Sequence, residues 1–283
     1  MKVAFSFLLL LCLTVASRGG EIANVPQFLQ DISVTIKTNY GEGSGVAFSR
    51  DETTFIWTAA HVVEELRRQR SVIDPGTGTM RTIVEFDDAK VVKQLVEDGR
   101  LVGRIEMDAE VIRYSNADRG HDLALLRVRK KDFIQSTAVF YVGTDIPAIG
   151  TRLLHVGSLL GQMGANSMTD GIMSQHGRVL SNQVYDQTTV TAFPGSSGGG
   201  VYLQDGRYVG MVVRGAGEGF NLIVPIRRLA KWAETAGVKW AIDPSIPLPT
   251  EEELLKLPIE DVGASFKSRN AAARIPVPAG VVK

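Results

Sequence analysis

Cysteine is almost missing: the 283 residues contain one, Cys12. It sits inside the apolar run "VAFSFLLLLCLTV", behind Leu11, a residue too large for bacterial lipid attachment. Past that run there is no thiol, which excludes disulfides, a thiolate nucleophile and a cysteine-based zinc site. Net charge is missing too, with 31 Lys+Arg against 31 Asp+Glu. No basic stripe or acidic tail offers itself to nucleic acid or to another charged partner. Histidine is scarce, four in all, and none has metal-ligand spacing, so neither a metal nor a cofactor is expected. Apolar runs long enough to span a bilayer are missing as well, since the first run falls short of the roughly 20 residues required. Met1-Lys2 precede it and the small residues "VAS" follow at 15–17. Residues 1–17 therefore read as a cleaved signal peptide, which implies export to the periplasm or beyond and no stable membrane insertion.

What remains is ordinary globular sequence, 44% hydrophobic and 22% charged. The roughly 260 residues left after cleavage can bury a full core without disulfides. Short runs rich in β-branched and aromatic residues recur, separated by turn signals. "DISVTIKT", "GVAFSR", "FIWTAA", "RTIVEF", "AEVIRY" and "LALLRVR" fill the first half. "RLLHVG", "GRVLS", "TTVTAF", "GVYLQ" and "RYVGMVVRG" fill the second, with Asp205-Gly206 as a hairpin signal. "VGTDIPAIGT" divides the halves near 140–150. "HVVEELRRQR" is expected to form a short helix, and "PIRRLAKWAETAG" a helix ending at Gly237. Many short strands in two similar halves predict an all-β chain of two barrels or sandwiches. Residues 243–283 form a Pro-rich tail, expected to lie on the domain surface, with the sharper alternative that it docks a partner or covers a cleft. One short helix is expected in it, capped by Thr250 with Glu253 and stopped by Pro258.

The chemistry centres on "FPGSSGGG" at 193–200. If Ser196 were a nucleophile, the residue two before it would be Pro194, which has no N–H to offer an oxyanion. For Ser197 that residue is Gly195, which can donate and can adopt a strained turn. Ser197 is therefore the candidate nucleophile, with the N–H groups of Gly195 and Ser197 as candidate oxyanion hole. The same residues satisfy G-x-S-x-G, but an α/β-hydrolase needs its acid and histidine after the serine. His61, His121, His155 and His176 all precede it. The order His, Asp, Ser remains. "TAAHVV" puts His61 at the end of an apolar strand, and "HDLALLRV" puts Asp122 at the head of another. A charged Asp heading a buried strand needs a partner, and a histidine N–H is one. The expectation is that Ser197 attacks a carbonyl, His61 moves the proton and Asp122 fixes the tautomer. His121 is expected to face outward, and His155 and His176 to be core or loop residues.

"TAAH", "DLALL" and "GSSGG" resemble the three motifs of the chymotrypsin-like (trypsin-like) serine peptidases, in particular the cysteine-free bacterial HtrA/DegP-like branch. The resemblance runs from about 30 to 240. It implies two antiparallel six-stranded β-barrels with the site between them and a C-terminal helix, within a protease domain at 21–242. It implies a serine endopeptidase acting on polypeptide, or, as the alternative class, a silent binding or chaperone-like module on the same fold. There is no Ile-Val-Gly-Gly start, Ser196 replaces the usual Asp before the nucleophile, and no PDZ domain is expected in the tail. By the same resemblance a substrate pocket falls to Thr191, Val213, Gly215, Gly219 and Asn221. With no acid at its base, small or medium uncharged side chains are expected. Arg214 is expected to point away from the pocket if the strand alternates, and Glu218 to sit on the rim.

Overall fold

The computed structural model describes residues 22–97, 100–143, 145–215 and 219–261. The expected signal peptide with Cys12, the rim residue Glu218 and the tail beyond 261 lie outside them. The first half contains β1 (Ser33–Lys37), β2 (Glu42–Arg50), β3 (Thr53–Thr58), β4 (Arg67–Ile73), β5 (Met80–Phe86), β6 (Ala89–Glu97), β7 (Arg100–Ser115) and β8 (Leu123–Val128). Six of these close a barrel in the order β1-β2-β3-β8-β7-β6, and β4 and β5 form a separate hairpin. The second half contains β9 (Val139–Phe140), β10 (Arg152–Leu159), β11 (Gly164–Leu180), β12 (Gln183–Thr188), β13 (Gly200–Leu203), β14 (Arg207–Gly215) and β15 (Asn221–Pro225). Their sheet runs β13-β10-β11-β12-β15-β14, and the pairing of β13 with β14 closes it on itself, with β9 added in parallel on β14. The architecture is thus two antiparallel six-stranded barrels. Among the described residues four α-helices accompany them: α1 (Val25–Asp31), α2 (Ala60–Val63), α3 (Ile226–Thr235) and α4 (Glu251–Lys256).

Period-2 alternation explains why β2 and β3 are apolar on both faces. Ala47 and Ile56 point into the first barrel. Their neighbours Val46, Phe48, Phe55 and Trp57 point out and join the core between the barrels. There Phe48 stacks on Phe55 at 5.5 Å, and Trp57 meets Trp232 of α3 edge-on at 5.8 Å. A smaller core of Leu153, Met173, Val190, Val201, Val209, Val212 and Ile223 fills the second barrel. The barrels are therefore welded through an apolar interface, and the C-terminal helix lies across it.

Two local expectations change. "HVVEELRRQR" gives only the turn α2 and a 3₁₀ turn at Glu64–Leu66 before β4 begins. Pairing of β4 with β5, with Arg70 bonding Glu85 across the strands at 2.7 Å, overrides its helical composition. "TTVTAF" stops as a strand at Thr188, whose Oγ1 accepts from the Val190 N–H and turns the chain. Helix α3 ends with Gly237 at φ +72°, a conformation that favours glycine. Thr250 and Glu253 form the capping box of α4.

Candidate active site

Strand pairing brings the first two residues together. β3 lies antiparallel to β8, with Thr58 opposite Ala124. The end of β3 thus meets the start of β8. His61 follows β3 on α2, and Asp122 immediately precedes β8. Asp122 holds φ +56°, which aspartate tolerates better than most residues. Its carboxylate is 1% exposed. It accepts from His61 Nδ1 at 3.0 Å to each oxygen, and Oδ1 also accepts from the His61 backbone N–H at 3.1 Å. A carboxylate only accepts, so the ring proton sits on Nδ1 and Nε2 keeps a free lone pair.

The serine half is built from backbone. Phe193-Pro194-Gly195-Ser196 is a β-turn closed by Ser196 N–H on Phe193 O at 2.9 Å. Proline second and glycine third, with Gly195 at φ +95°, match a type II turn. The neighbouring serines then part company. Ser196 is buried and its Oγ accepts from the Phe193 N–H at 3.1 Å. Ser197 faces the cleft, sharing a cavity of about 430 Å³ with His61 and Gly195 and another of about 260 Å³ with Val213 and Gly215. Among the described residues, nothing accepts a hydrogen bond from the N–H of Gly195 or of Ser197. A Cβ at Gly195 would lie 2.2 Å from Ser158 O, so only glycine fits there.

Sequence reasoning missed the residues that lock the halves together. Ser44 of β2, inside the "YGEGSG" stretch read as turn punctuation, donates its Oγ–H to Gly195 O at 2.7 Å and accepts from the Ser158 N–H at 2.7 Å. Its own N–H donates to Ser197 O at 2.7 Å. Gly43 leaves room for this approach, since a Cβ there would meet Val62 at 2.6 Å and Ser197 O at 3.1 Å. Arg228 of α3 lies buried with its guanidinium 4.5 Å from the Tyr185 ring and donates to His121 O at 2.5 Å, one residue from Asp122. Burial lowers its pKa from the usual guanidinium value. No local sequence signal marks these contacts, because each joins distant elements.

The structure does not bring the five expected pocket residues to one cavity. Val213 and Gly215 line the smaller cavity with Ala192, Phe193 and Pro194. Thr191, Gly219 and Asn221 do not. Asn221 is buried behind the wall and donates to Val190 O at 2.7 Å. Thr191 is spent as a backbone acceptor for Thr169 Oγ1, and Gly219 is an exposed turn residue at φ +74°. Arg214 does line the cavity, against the simple alternation, because the β14–β15 register shifts between Val212 and Arg214. His121 is half-buried rather than outward, and burial, with Arg228 and Lys231 nearby, pushes its pKa down to about 4. His155 is a core residue with Nδ1 donating to Gly200 O at 2.9 Å, and burial likewise takes it to about 4. His176 lies 3.4 Å from Asp186. Among the described residues there is no cluster suited to a metal ion.

Residues 43–211 match the family model of the trypsin-like peptidase domain. The chain belongs to this family. It is 36% identical over 115 residues to a probable periplasmic serine endoprotease DegP-like of Pseudomonas fulva, covering 40% of this chain and 22% of that protein. It is 28% identical over 178 residues to a serine protease Do-like HtrA of Lactobacillus helveticus, covering 61% and 35%. The trypsin-like chain thus matches about a fifth to a third of the length of these relatives. Among solved structures, the serine endoprotease from Yersinia pestis superposes with a TM-score of 0.54 at 19% identity, over 78% of this chain and 68% of that one. That likeness speaks for the fold.

Proposed function

We propose that this trypsin-like chain is an exported serine endopeptidase that cleaves polypeptides through His61, Asp122 and Ser197. One observation carries the reading. A histidine whose Nδ1 is held by a buried carboxylate shares a cavity with a serine whose own N–H and that of Gly195 have no acceptor among the described residues. Ser197 Oγ adds to the carbonyl carbon of the scissile bond while its proton passes to His61 Nε2. The carbonyl oxygen becomes an oxyanion and takes hydrogen bonds from Gly195 and Ser197. Asp122 steadies the imidazolium, which then returns the proton to the departing amine. Water, deprotonated by the same His61, releases the acyl group from Ser197. Neither a metal nor a cofactor enters these steps.

Export agrees with the run at 3–15 and with relatives described as periplasmic. Among the described residues no helix is long and apolar enough to cross a membrane. The acyl-side pocket, walled by Phe193, Val213 and Arg214, favours uncharged side chains over lysine or arginine, which would meet the Arg214 guanidinium. The test is digestion of β-casein, an unfolded substrate, by the purified mature chain. Wild type yields fragments and Ser197→Ala yields none. Equal digestion by both overturns the proposal.

A further inference from the structure

Residues 243–261 do not merely lie on one face: they cross from the second barrel back to the first. Arg50 of β2 donates to Trp240 O at 2.6 Å and Ile246 O at 2.7 Å. Arg127 of β8 pairs with Glu251 on α4, and Arg67 of β4 with Glu260 at 2.6 Å. The segment ends against β7. The Tyr114 N–H donates to Ile259 O at 2.8 Å, and the Asp261 N–H donates to Tyr114 O at 3.1 Å, a parallel bridge at Glu260. Tyr114 and Ser115 close β7, and the turn that follows delivers Asp122 to His61.

The side chains continue that contact inward. Trp232 Nε1 of α3 donates to Asp261 Oδ2 at 2.7 Å. Ser115, fully buried, directly follows Tyr114, whose carbonyl takes the Asp261 N–H. Ser115 Oγ accepts from the His121 N–H at 2.7 Å. The links run from Asp261 through Tyr114 and Ser115 to the peptide just before Asp122. The turn has no slack to absorb a shift: the Gly120 N–H is bonded to Asn116 O, and a Cβ at Gly120 would lie 2.5 Å from Ser115 Oγ. On its other side Arg228 holds His121 O.

We propose that Asp261 is a positioning residue for the triad, anchored on Trp232 and holding the end of β7, and with it the turn that presents Asp122 to His61. This rests on the serine-peptidase reading above. It means that the assembled catalytic pair depends on the C-terminal segment being docked, although no residue of that segment touches the cleft cavities.

The experiment uses a fluorophosphonate probe, which needs no known substrate. The second-order rate of labelling at Ser197 is measured from pH 4 to 9 for the full mature chain and for Asp261→Ala, Ser115→Ala and Asp261→Asn, scaled to the folded fraction from circular dichroism. The alanine variants are expected to label about ten- to a hundredfold more slowly, the loss that an angstrom-scale misplacement brings. Asp261→Asn, whose amide oxygen still accepts from Trp232, restores most of the rate. Wild-type rate in Asp261→Ala overturns the proposal, and so does an Asp261→Asn as slow as Asp261→Ala, since the contact with Trp232 is then not what positions the turn. Wild type that fails to label at Ser197 overturns the serine-peptidase reading and this one with it.

Discussion

The two barrels build their shares of the cleft by different means. The first supplies side chains: a buried carboxylate gripping an imidazole, placed by the register of β3 on β8. The second supplies backbone: a type II turn at 193–196, glycines at φ +95° and +87°, and two N–H groups with no acceptor among the described residues. The first half therefore fails when a functional group changes while the fold stays. The second fails when a single Cβ appears. Ser44 joins the two, a first-barrel residue whose Oγ and N–H bond Gly195 O and Ser197 O and whose Oγ also takes the Ser158 N–H.

Breaking the first half is expected to have the larger effect. Asp122→Asn keeps the packing but lets the ring choose the wrong tautomer, and turnover should drop by a factor of about 10⁴, as such triads do. Kinetics on casein at neutral pH with an unchanged circular dichroism spectrum would check it. Gly195→Ala tests the second half. The methyl collides with Ser158 O, the turn shifts and one oxyanion donor is lost, which costs about 10²–10³ in kcat. Its KM should move little. Exchange of Arg214 for glutamate sharpens the comparison at the pocket: cleavage after lysine or arginine should rise about tenfold, roughly 1.4 kcal/mol, relative to neutral residues. Peptide-library profiling by mass spectrometry reads that ratio.

The smallest effect concerns stability against pH. His155 is pushed down to about 4 in the fold, below its unfolded value near 6.5. The unfolded chain binds a proton first as the pH falls. Stability is full above 6.5 and declines from there to about 4, by up to about 1.4 kcal/mol per pH unit for this group. His155→Asn, whose amide can still donate to Gly200 O, should flatten that decline in thermal melts.

Much of this was legible in sequence because the signals were local. Strands announce themselves by period 2, and the choice between the two serines turned on one fact, that Pro194 has no N–H. The misses are of two kinds. β6 carries "KVVKQLVE", whose Lys, Gln and Leu do not read as strand, and only its pairing with β1 and β7 makes it one. α1, at seven residues with Asn24 as cap, is too short to stand out. The other kind is non-local. The pocket residues turn on a register shift in β14, and the docking of Ile259–Asp261 beside Tyr114 spans nearly 150 positions of chain. No window of sequence holds both ends.

The central claim, that the two halves meet as one activated nucleophile, is tested most directly by treating the folded mature chain with a fluorophosphonate and locating the adduct by tandem mass spectrometry. A single adduct on Ser197, absent from His61→Ala, is expected. An adduct on Ser196 or elsewhere, or Ser197 labelling that persists in His61→Ala, would contradict it.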